Sequence, residues 1–183
     1  MFDLVVLAVK QKRANKRIPN NSLYLEINQR YCDIWDFMVS TDGVWYSLYT
    51  DKNEYGGTKI CKHLGKECKL SLPWLEKEVI GDITPFTIDE EYIESFIAVL
   101  KYLMEKSPVN TIYVLARYQS YERETIIGAL TMKEFLTLMK NGMLHANVCY
   151  IIKKKVEQSR DVFASEIDSE DFRLPFHQPE NGI

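Results

Sequence analysis

The apolar positions between residues 79 and 154 change period several times, and each change coincides with a start or stop signal. Short apolar runs bounded by turn residues indicate strands, whereas apolar residues recurring every three or four positions indicate helices. The segment therefore predicts the order strand, helix, strand, turn, strand, helix, strand. Its first strand is expected over residues 79–83, ending at Thr84-Pro85.

The first predicted helix begins at Thr87-x-x-Glu90, which has the form of a capping box. It is expected to end at Ser107-Pro108, because proline follows helix ends and cannot continue them. Seven apolar side chains between these signals share one stripe: Tyr92, Ile93, Phe96, Ile97, Leu100, Leu103 and Met104. Burying seven such side chains contributes roughly 10–20 kcal/mol gross, at about 1.5–3 kcal/mol each. The stripe therefore predicts a helix that packs on a sheet.

A central hairpin is predicted next, with strands over residues 111–116 and 125–130 and a turn over residues 118–122. β-branched and aromatic residues enrich both runs, as is typical of strands.

A second capping box, Thr131-x-x-Glu134, opens a short helix. Phe135, Leu136 and Met139 are expected to face inward, and Gly142 lies where a left-handed C-terminal cap is expected. Residues 147–152 form the last clear strand of the pattern.

The N-terminal part is less regular. Residues 2–9 predict a buried strand, and residues 44–50 predict another after a two-residue turn at Asp42-Gly43. Between them, a helix capped near Asn21 or Ser22 is favoured by apolar residues at helical spacing: Leu23, Ile27, Tyr31, Ile34 and Met38. A strand is the alternative, because Trp35, Phe37 and Val39 alternate with other residues. Residues 58–75 show the least clear pattern, and Pro73 limits any regular element there.

These elements predict an α+β fold, a mainly antiparallel sheet with two or three helices packed on it. Residues 79–154 have the β-α-β-β-α-β order of a split βαβ unit. A larger mixed sheet, extended by the N-terminal strand, is the alternative. The length of 183 residues suits a single domain, with residues 1–75 as its less certain part and residues 161–183 as an acidic tail.

Composition narrows the class of protein. The chain is 46% hydrophobic and 27% charged, with a net charge of −3, so no overall basic excess suggests nucleic-acid binding. No run approaches the roughly 18 apolar residues that span a bilayer, and the N-terminus lacks the basic start of a signal peptide. Four scattered cysteines predict reduced thiols, and hence a cytoplasmic protein without membrane contact.

Charge is nevertheless segregated along the chain. From residue 161 onward six acidic residues stand against one basic residue, whereas the first thirty residues carry six basic against two acidic. Residues 76–94 carry seven acidic residues against Lys77. Carboxylates at a helix start favour the helix dipole, but they also suit a basic partner. We therefore expect a partner-binding surface at Asp89, Glu90 and Glu94, together with Tyr121 and Glu122 at the hairpin turn.

Candidate chemistry is sparse. Cys61-x-His63-x4-Cys68 lacks the tight cysteine spacing of a zinc site, with Cys32 as a distant fourth ligand, so no metal is expected. His145 and Cys149 are expected on one face of the last strand, too far apart for nucleophile and base. The basic run at residues 10–17 lacks interleaved aromatics and predicts a loop. No nucleotide or hydrolase motif is present, so no catalytic residue and no cofactor are expected.

The segment from residue 111 to 154, with its short helix running into Asn147-Val148-Cys149-Tyr150-Ile151-Ile152-Lys153, resembles small bacterial immunity proteins. These proteins guard cells against polymorphic or contact-dependent growth-inhibition toxins. The resemblance lies in size, mild acidity, the α+β pattern and the lack of active-site motifs. It implies a non-enzymatic cytoplasmic inhibitor that occludes one toxin, often a nuclease with a basic groove.

Two alternatives remain at this point. One is a small metal-independent nuclease that uses Tyr121, Glu122, Arg123 and His145. The other is a structural protein that forms homodimers through an exposed sheet edge.

Overall fold

The computed structural model describes residues 2–14, 18, 21–27, 41–50, 59–65, 84–118, 124–156 and 163–167. Within them the fold is α+β, which confirms the predicted class. The strands are β1 (Phe2–Val9), β2 (Tyr24–Ile27), β3 (Gly43–Tyr49), β4 (Cys61–His63), β5 (Pro85–Ile88), β6 (Thr111–Tyr118), β7 (Glu124–Thr131), β8 (Leu144–His145), β9 (Val148–Lys153) and β10 (Phe163–Ile167). The helices are α1 (Ile93–Lys106), preceded by a 3-10 turn (Glu90–Tyr92), and α2 (Met132–Lys140).

A seven-stranded sheet has the order β10-β7-β9-β6-β1-β3-β2. Its neighbouring strands are antiparallel except β7 and β9, which are parallel and joined through α2. The central hairpin predicted for β6 and β7 is therefore wrong, because β9 lies between these strands and pairs with both. After α2 the chain runs parallel to β7 and forms β9 in the position between β6 and β7.

A second sheet has the order β4-β5-β8. Its central strand, β5, begins at Pro85, a position where a missing backbone N–H is tolerated. The predicted strand over residues 79–83 lies outside the described residues. The described elements follow the predicted β-α-β-β-α-β order apart from the added strand β8. The first strand of this order is β5, which lies where a strand end and a helix start were predicted and which belongs to the second sheet.

Helix α1 starts later than predicted. Thr87 lies within β5, and its Oγ1 donates to the carbonyl of Met139 at 3.3 Å. Asp89 caps the 3-10 turn before α1, and its Oδ1 accepts from the backbone N–H of Glu91 at 3.2 Å, whereas Tyr92 at the start of α1 makes no side-chain capping bond. The predicted capping box at Thr87 is thus wrong, because a strand and a 3-10 turn occupy that stretch. The predicted helix end at Ser107 is confirmed.

The apolar stripe of α1 is confirmed. Five of its side chains are buried: Phe96, Val99, Leu100, Leu103 and Met104. Tyr92, Ile93 and Ile97 are half-buried and pack against the same core. Val99 extends the stripe beyond the predicted set.

Helix α2 follows its prediction closely. Thr131 Oγ1 accepts from the N–H of Glu134 at 3.2 Å, and Glu134 Oε2 accepts from the N–H of Thr131 at 2.6 Å. Phe135 and Met139 are buried, and Leu136 is half-buried. Gly142 has φ of +62°, the left-handed conformation expected of a residue that ends a helix.

The N-terminal part differs from its prediction. The described residues 24–27 form β2, not the start of a helix, while residues 28–40 lie outside the described part of the chain. Strand β3 is confirmed. Gly43 is its first residue and pairs with Val9 of β1, so the two-residue turn predicted at Asp42-Gly43 is wrong.

Both faces of the large sheet are buried. Helices α1 and α2 and the second sheet contribute to the main core on one face, together with alternate residues of β1, β6 and β9. Nine buried residues form a cluster on the other face: Val5, Leu7, Val9, Trp45, Tyr113, Leu115, Ile126, Cys149 and Ile151. A strand buried on both sides is apolar at nearly every position, which explains the continuous run in β1. None of the described helices is long and apolar enough to cross a membrane.

Candidate functional site

The start of α1 carries the acidic residues predicted to bind a partner. Glu90, Glu91 and Glu94 are exposed, whereas Asp89 is half-buried because it caps the 3-10 turn before α1. The structure gives the three exposed carboxylates no hydrogen bond or ion pair with any described residue. We call Asp89, Glu90, Glu91 and Glu94 the α1 acidic surface.

Hydrogen bonds on two sides hold this surface in place. The backbone N–H of Asp89 donates to the carbonyl of Ile60 at 2.8 Å, which ties the helix start to the residue before β4. Asn21 Nδ2 donates to the carbonyl of Ser95 at 3.0 Å, and the hydroxyl oxygens of Ser22 and Ser95 lie 2.6 Å apart. The carboxylates therefore project from a backbone that is held by two other segments of the chain, at Ile60 and at residues 21–22.

An exposed aromatic side chain lies near this surface and was missed by the sequence analysis. Tyr24, the first residue of β2, is 43% exposed and follows Ser22 by two positions. The sequence does contain a pattern that indicates its exposure, because leucines alternate with other residues here. Leu23 and Leu25 are buried, whereas Glu26 is exposed like Tyr24. Such alternation is typical of a strand, but the wider spacing of apolar residues favoured a helix, so the exposure of Tyr24 was not predicted.

The other two predicted partner-binding residues, Tyr121 and Glu122, lie outside the described residues. Their flanking strands are described: β6 ends at Tyr118, and β7 starts at Glu124. Asp3 pairs with Arg117 near the end of β6, and Tyr24 pairs with Tyr49 at the end of β3. These pairs place the end of β6 and the start of α1 at the same end of the large sheet. The structure thus brings Asp89, Glu90 and Glu94 together and does not place Tyr121 and Glu122.

Arg117, next to the predicted turn, is a buried charged residue. It is only 4% exposed and lies within β6. It pairs across the strands with Asp3, so opposite charges face each other on one side of the sheet. Its guanidinium belongs to the interior of the fold.

Both cysteines that the structure describes are buried. Cys61 and Cys149 are thiols inside the protein, as expected for Cys149. Burial raises the pKa of the Cys61 thiol far above its usual value, which leaves it protonated and unreactive. Burial is also the main cause that raises the pKa of Tyr113 to about 12, with the nearby Cys149 adding to it and a hydrogen bond with Thr41 opposing it.

His145 was predicted to lie in the last strand, and this prediction is wrong. It lies in β8 of the second sheet and is completely buried. Its Nδ1 is 2.9 Å from the carbonyl of Met143, and its backbone N–H donates to the hydroxyl of Tyr150 at 2.8 Å. A substrate in solvent has no access to this ring, so the residue loses its place in the nuclease alternative.

The cysteine-histidine motif does not form a ligand set in the described part of the chain. Cys61 and His63 both lie in β4, but Cys61 is buried and His63 is exposed. Cys68 and Cys32 lie outside the described residues. Among the residues that the structure describes, no group of three or more His, Cys, Asp or Glu side chains is arranged to hold a metal ion.

Comparison with known proteins adds no family assignment. No protein-family model matches the chain, and no curated protein or solved structure matches it either.

Proposed function

We propose that this protein is a non-enzymatic cytoplasmic binding protein that neutralises a cognate bacterial toxin by covering the toxin's active site. The α1 acidic surface makes the contact. The observation that carries the proposal is that Glu90, Glu91 and Glu94 are exposed and make no bond with the described residues, on a backbone that hydrogen bonds hold fixed.

Exposed carboxylates on a backbone that is held in place suit recognition of a basic partner. Charges of opposite sign steer the encounter and select the partner. Tyr24 adds an exposed aromatic ring near the same surface, and aromatic side chains are common anchors of protein interfaces. A toxin whose active site is a basic groove for nucleic acid presents the complementary charge.

Growth of bacteria that carry the toxin tests the proposal. The reading frames next to this protein's gene are expressed one at a time, and one of them is expected to arrest growth. Co-expression of this protein is expected to restore growth. If none of the neighbouring products arrests growth, or if the arrest persists despite soluble expression of this protein, the proposal is wrong.

Paired charge variants then test the surface in the same assay. Glu90→Lys/Glu94→Lys is expected to lose protection, because it reverses two charges of the α1 acidic surface. Asp42→Lys/Glu105→Lys changes the net charge equally at exposed positions elsewhere, and it is expected to protect as well as the unmodified protein. Equal protection by both variants would exclude the α1 acidic surface as the contact.

A further inference from the structure

The end of the large sheet opposite the α1 acidic surface collects basic residues from several segments. Strand β1 ends at Val9, while β6 begins and β9 ends at the paired residues Thr111 and Lys153. Eight exposed cations lie on or next to these strand ends and the adjoining helix ends: Lys10, Lys12, Arg13, Lys106, Lys133, Lys153, Lys154 and Lys155. We call these eight residues the basic end.

Hydrogen bonds around one turn hold the basic segments together. Ser107 Oγ donates to the carbonyl of Val9 at 2.8 Å, next to Lys10. The backbone N–H of Asn110 donates to the carbonyl of Ser107 at 2.9 Å, and the N–H of Lys154 donates to the carbonyl of Asn110 at 3.0 Å. The ends of β1 and β9 are two strand spacings apart, about 10 Å. The cations therefore form one surface although they are distant in sequence.

Few carboxylates offset this charge. The described residues of the same end contribute three carboxylates, on Asp42, Glu105 and Glu134. The carboxylate of Glu134 is already hydrogen-bonded to Thr131. The excess is therefore about five positive charges on one small surface, and like charges held this close produce a strong local potential.

The uncharged neighbours indicate which polyanion fits. No aromatic side chain is exposed among the described residues of this end, since Tyr102 is half-buried with Lys106 Nζ 5.1 Å from its ring. Single strands are usually bound by aromatic stacking, and membrane surfaces by a broad apolar face. Within the part of this end that the structure describes, Val109 is the only large apolar side chain that is exposed. Double-stranded nucleic acid needs neither, because lysine and arginine contact its phosphates directly.

We propose that the basic end binds the phosphate backbone of double-stranded nucleic acid, without regard to base sequence. The surface lies at the opposite end of the sheet from the α1 acidic surface and does not depend on the function proposed for it. The net charge of −3 does not indicate this basic surface, because acidic residues elsewhere in the chain outweigh its positive charge. The loop after β1 looked insufficient by itself, and the fold adds five cations to it from α1, α2 and β9.

Fluorescence anisotropy with a labelled short DNA duplex tests the proposal. Binding is expected at about 50 mM salt and should weaken about 100-fold by about 200 mM, as release of counterions from four or more phosphates requires. Changing the duplex sequence is expected to leave the affinity unchanged.

Two matched variants locate the surface. Lys153→Gln/Lys154→Gln/Lys155→Gln is expected to weaken binding about tenfold or more and to reduce the slope of log K against log salt by about 2–3. Lys59→Gln/Lys62→Gln/Lys140→Gln removes the same charge from exposed lysines outside the basic end and is expected to keep the original slope. Circular dichroism melting checks that both variants are folded.

Several results would overturn the proposal. They are no binding of the duplex at low salt, an equal loss of binding in the two variants, or tighter binding of a single-stranded oligonucleotide. Tighter binding of polyglutamate or of phosphatidylserine vesicles than of the duplex would assign the surface to another class of partner.

Discussion

Helices α1 and α2 both begin with carboxylates, but the fold uses them differently. In α2, Glu134 turns back and accepts hydrogen bonds from the backbone and hydroxyl of Thr131. At the start of α1, Asp89 caps the preceding 3-10 turn, while Glu90, Glu91 and Glu94 are exposed and make no bond with described residues. The carboxylate of α2 is therefore engaged within its own helix. The three exposed carboxylates of the α1 acidic surface have no such partner among the described residues, which makes them candidates for binding.

The largest loss of stability is expected from substitutions in the core, because a buried phenylalanine anchors each of the two helices. Phe96 of α1 and Phe135 of α2 are completely buried, and the Phe135 ring packs edge-on against Tyr150 at 5.6 Å between centroids. Phe96→Ala and Phe135→Ala should each lower the free energy of unfolding by about 3–5 kcal/mol. Urea unfolding measures both. A loss below about 1 kcal/mol in either variant would show that the helix is not anchored as described.

Removal of the α2 cap should have a smaller effect. Thr131→Ala is expected to lower the free energy of unfolding by about 1–2 kcal/mol, because it leaves the N–H of Glu134 without its acceptor. Thr137→Ala, an exposed position in the same helix, is the matched control and should change stability by less than about 0.5 kcal/mol. Equal losses in the two variants would mean that the cap contributes nothing.

Asp89, which caps the 3-10 turn before α1, should be distinguishable from Thr87, which has only the sequence pattern of a cap. Asp89→Ala is expected to lower the free energy of unfolding by about 1 kcal/mol, since Asp89 accepts from Glu91 at the helix start. Thr87→Val removes only a 3.3 Å bond to Met139 and should have a smaller effect. A larger loss for Thr87→Val in the same urea titrations would contradict the assigned helix start.

The smallest effect is a pH dependence confined to α2. Hydrogen bonds from Thr131 hold the pKa of Glu134 below its usual value. The stabilisation from this carboxylate is complete above its unfolded pKa of about 4.3 and is lost as the pH falls through the lower folded value. Glu134→Gln keeps the capping geometry but cannot titrate. Below about pH 4.3 the melting temperature of the unmodified protein should therefore fall slightly relative to that of Glu134→Gln. A difference between the two melting temperatures that does not change with pH would contradict this role.

Local signals predicted the elements that depend on local contacts. The capping box at Thr131, the inward position of Phe135 and the left-handed Gly142 each depend on residues that are close in sequence. A local pattern was therefore enough to predict them. Thr87-x-x-Glu90 has the same capping-box pattern. However, β5 pairs with β4 and β8, and this pairing keeps Thr87 in a strand. Tertiary pairing overrode the local preference.

Distant partners explain the other differences. Strand β9 separates β6 from β7, which no pattern within either strand could indicate. Arg117 is charged but buried because its cross-strand neighbour is Asp3, more than a hundred residues away. The basic end likewise joins residues from four elements. The acidic part of the candidate site was predictable because Asp89, Glu90 and Glu94 are neighbours in sequence. The position of Tyr24 near them depends on the distant contacts of residues 21–22 with Ser95.

The most direct test of the acidic surface is the association rate with the toxin that the growth assay identifies. Glu90→Lys/Glu94→Lys should slow association about tenfold or more at low salt, and the difference should shrink as salt rises. Asp42→Lys/Glu105→Lys should associate at nearly the unmodified rate. If stopped-flow traces show both variants associating equally fast, the exposed carboxylates of α1 do not guide the encounter and the account is wrong.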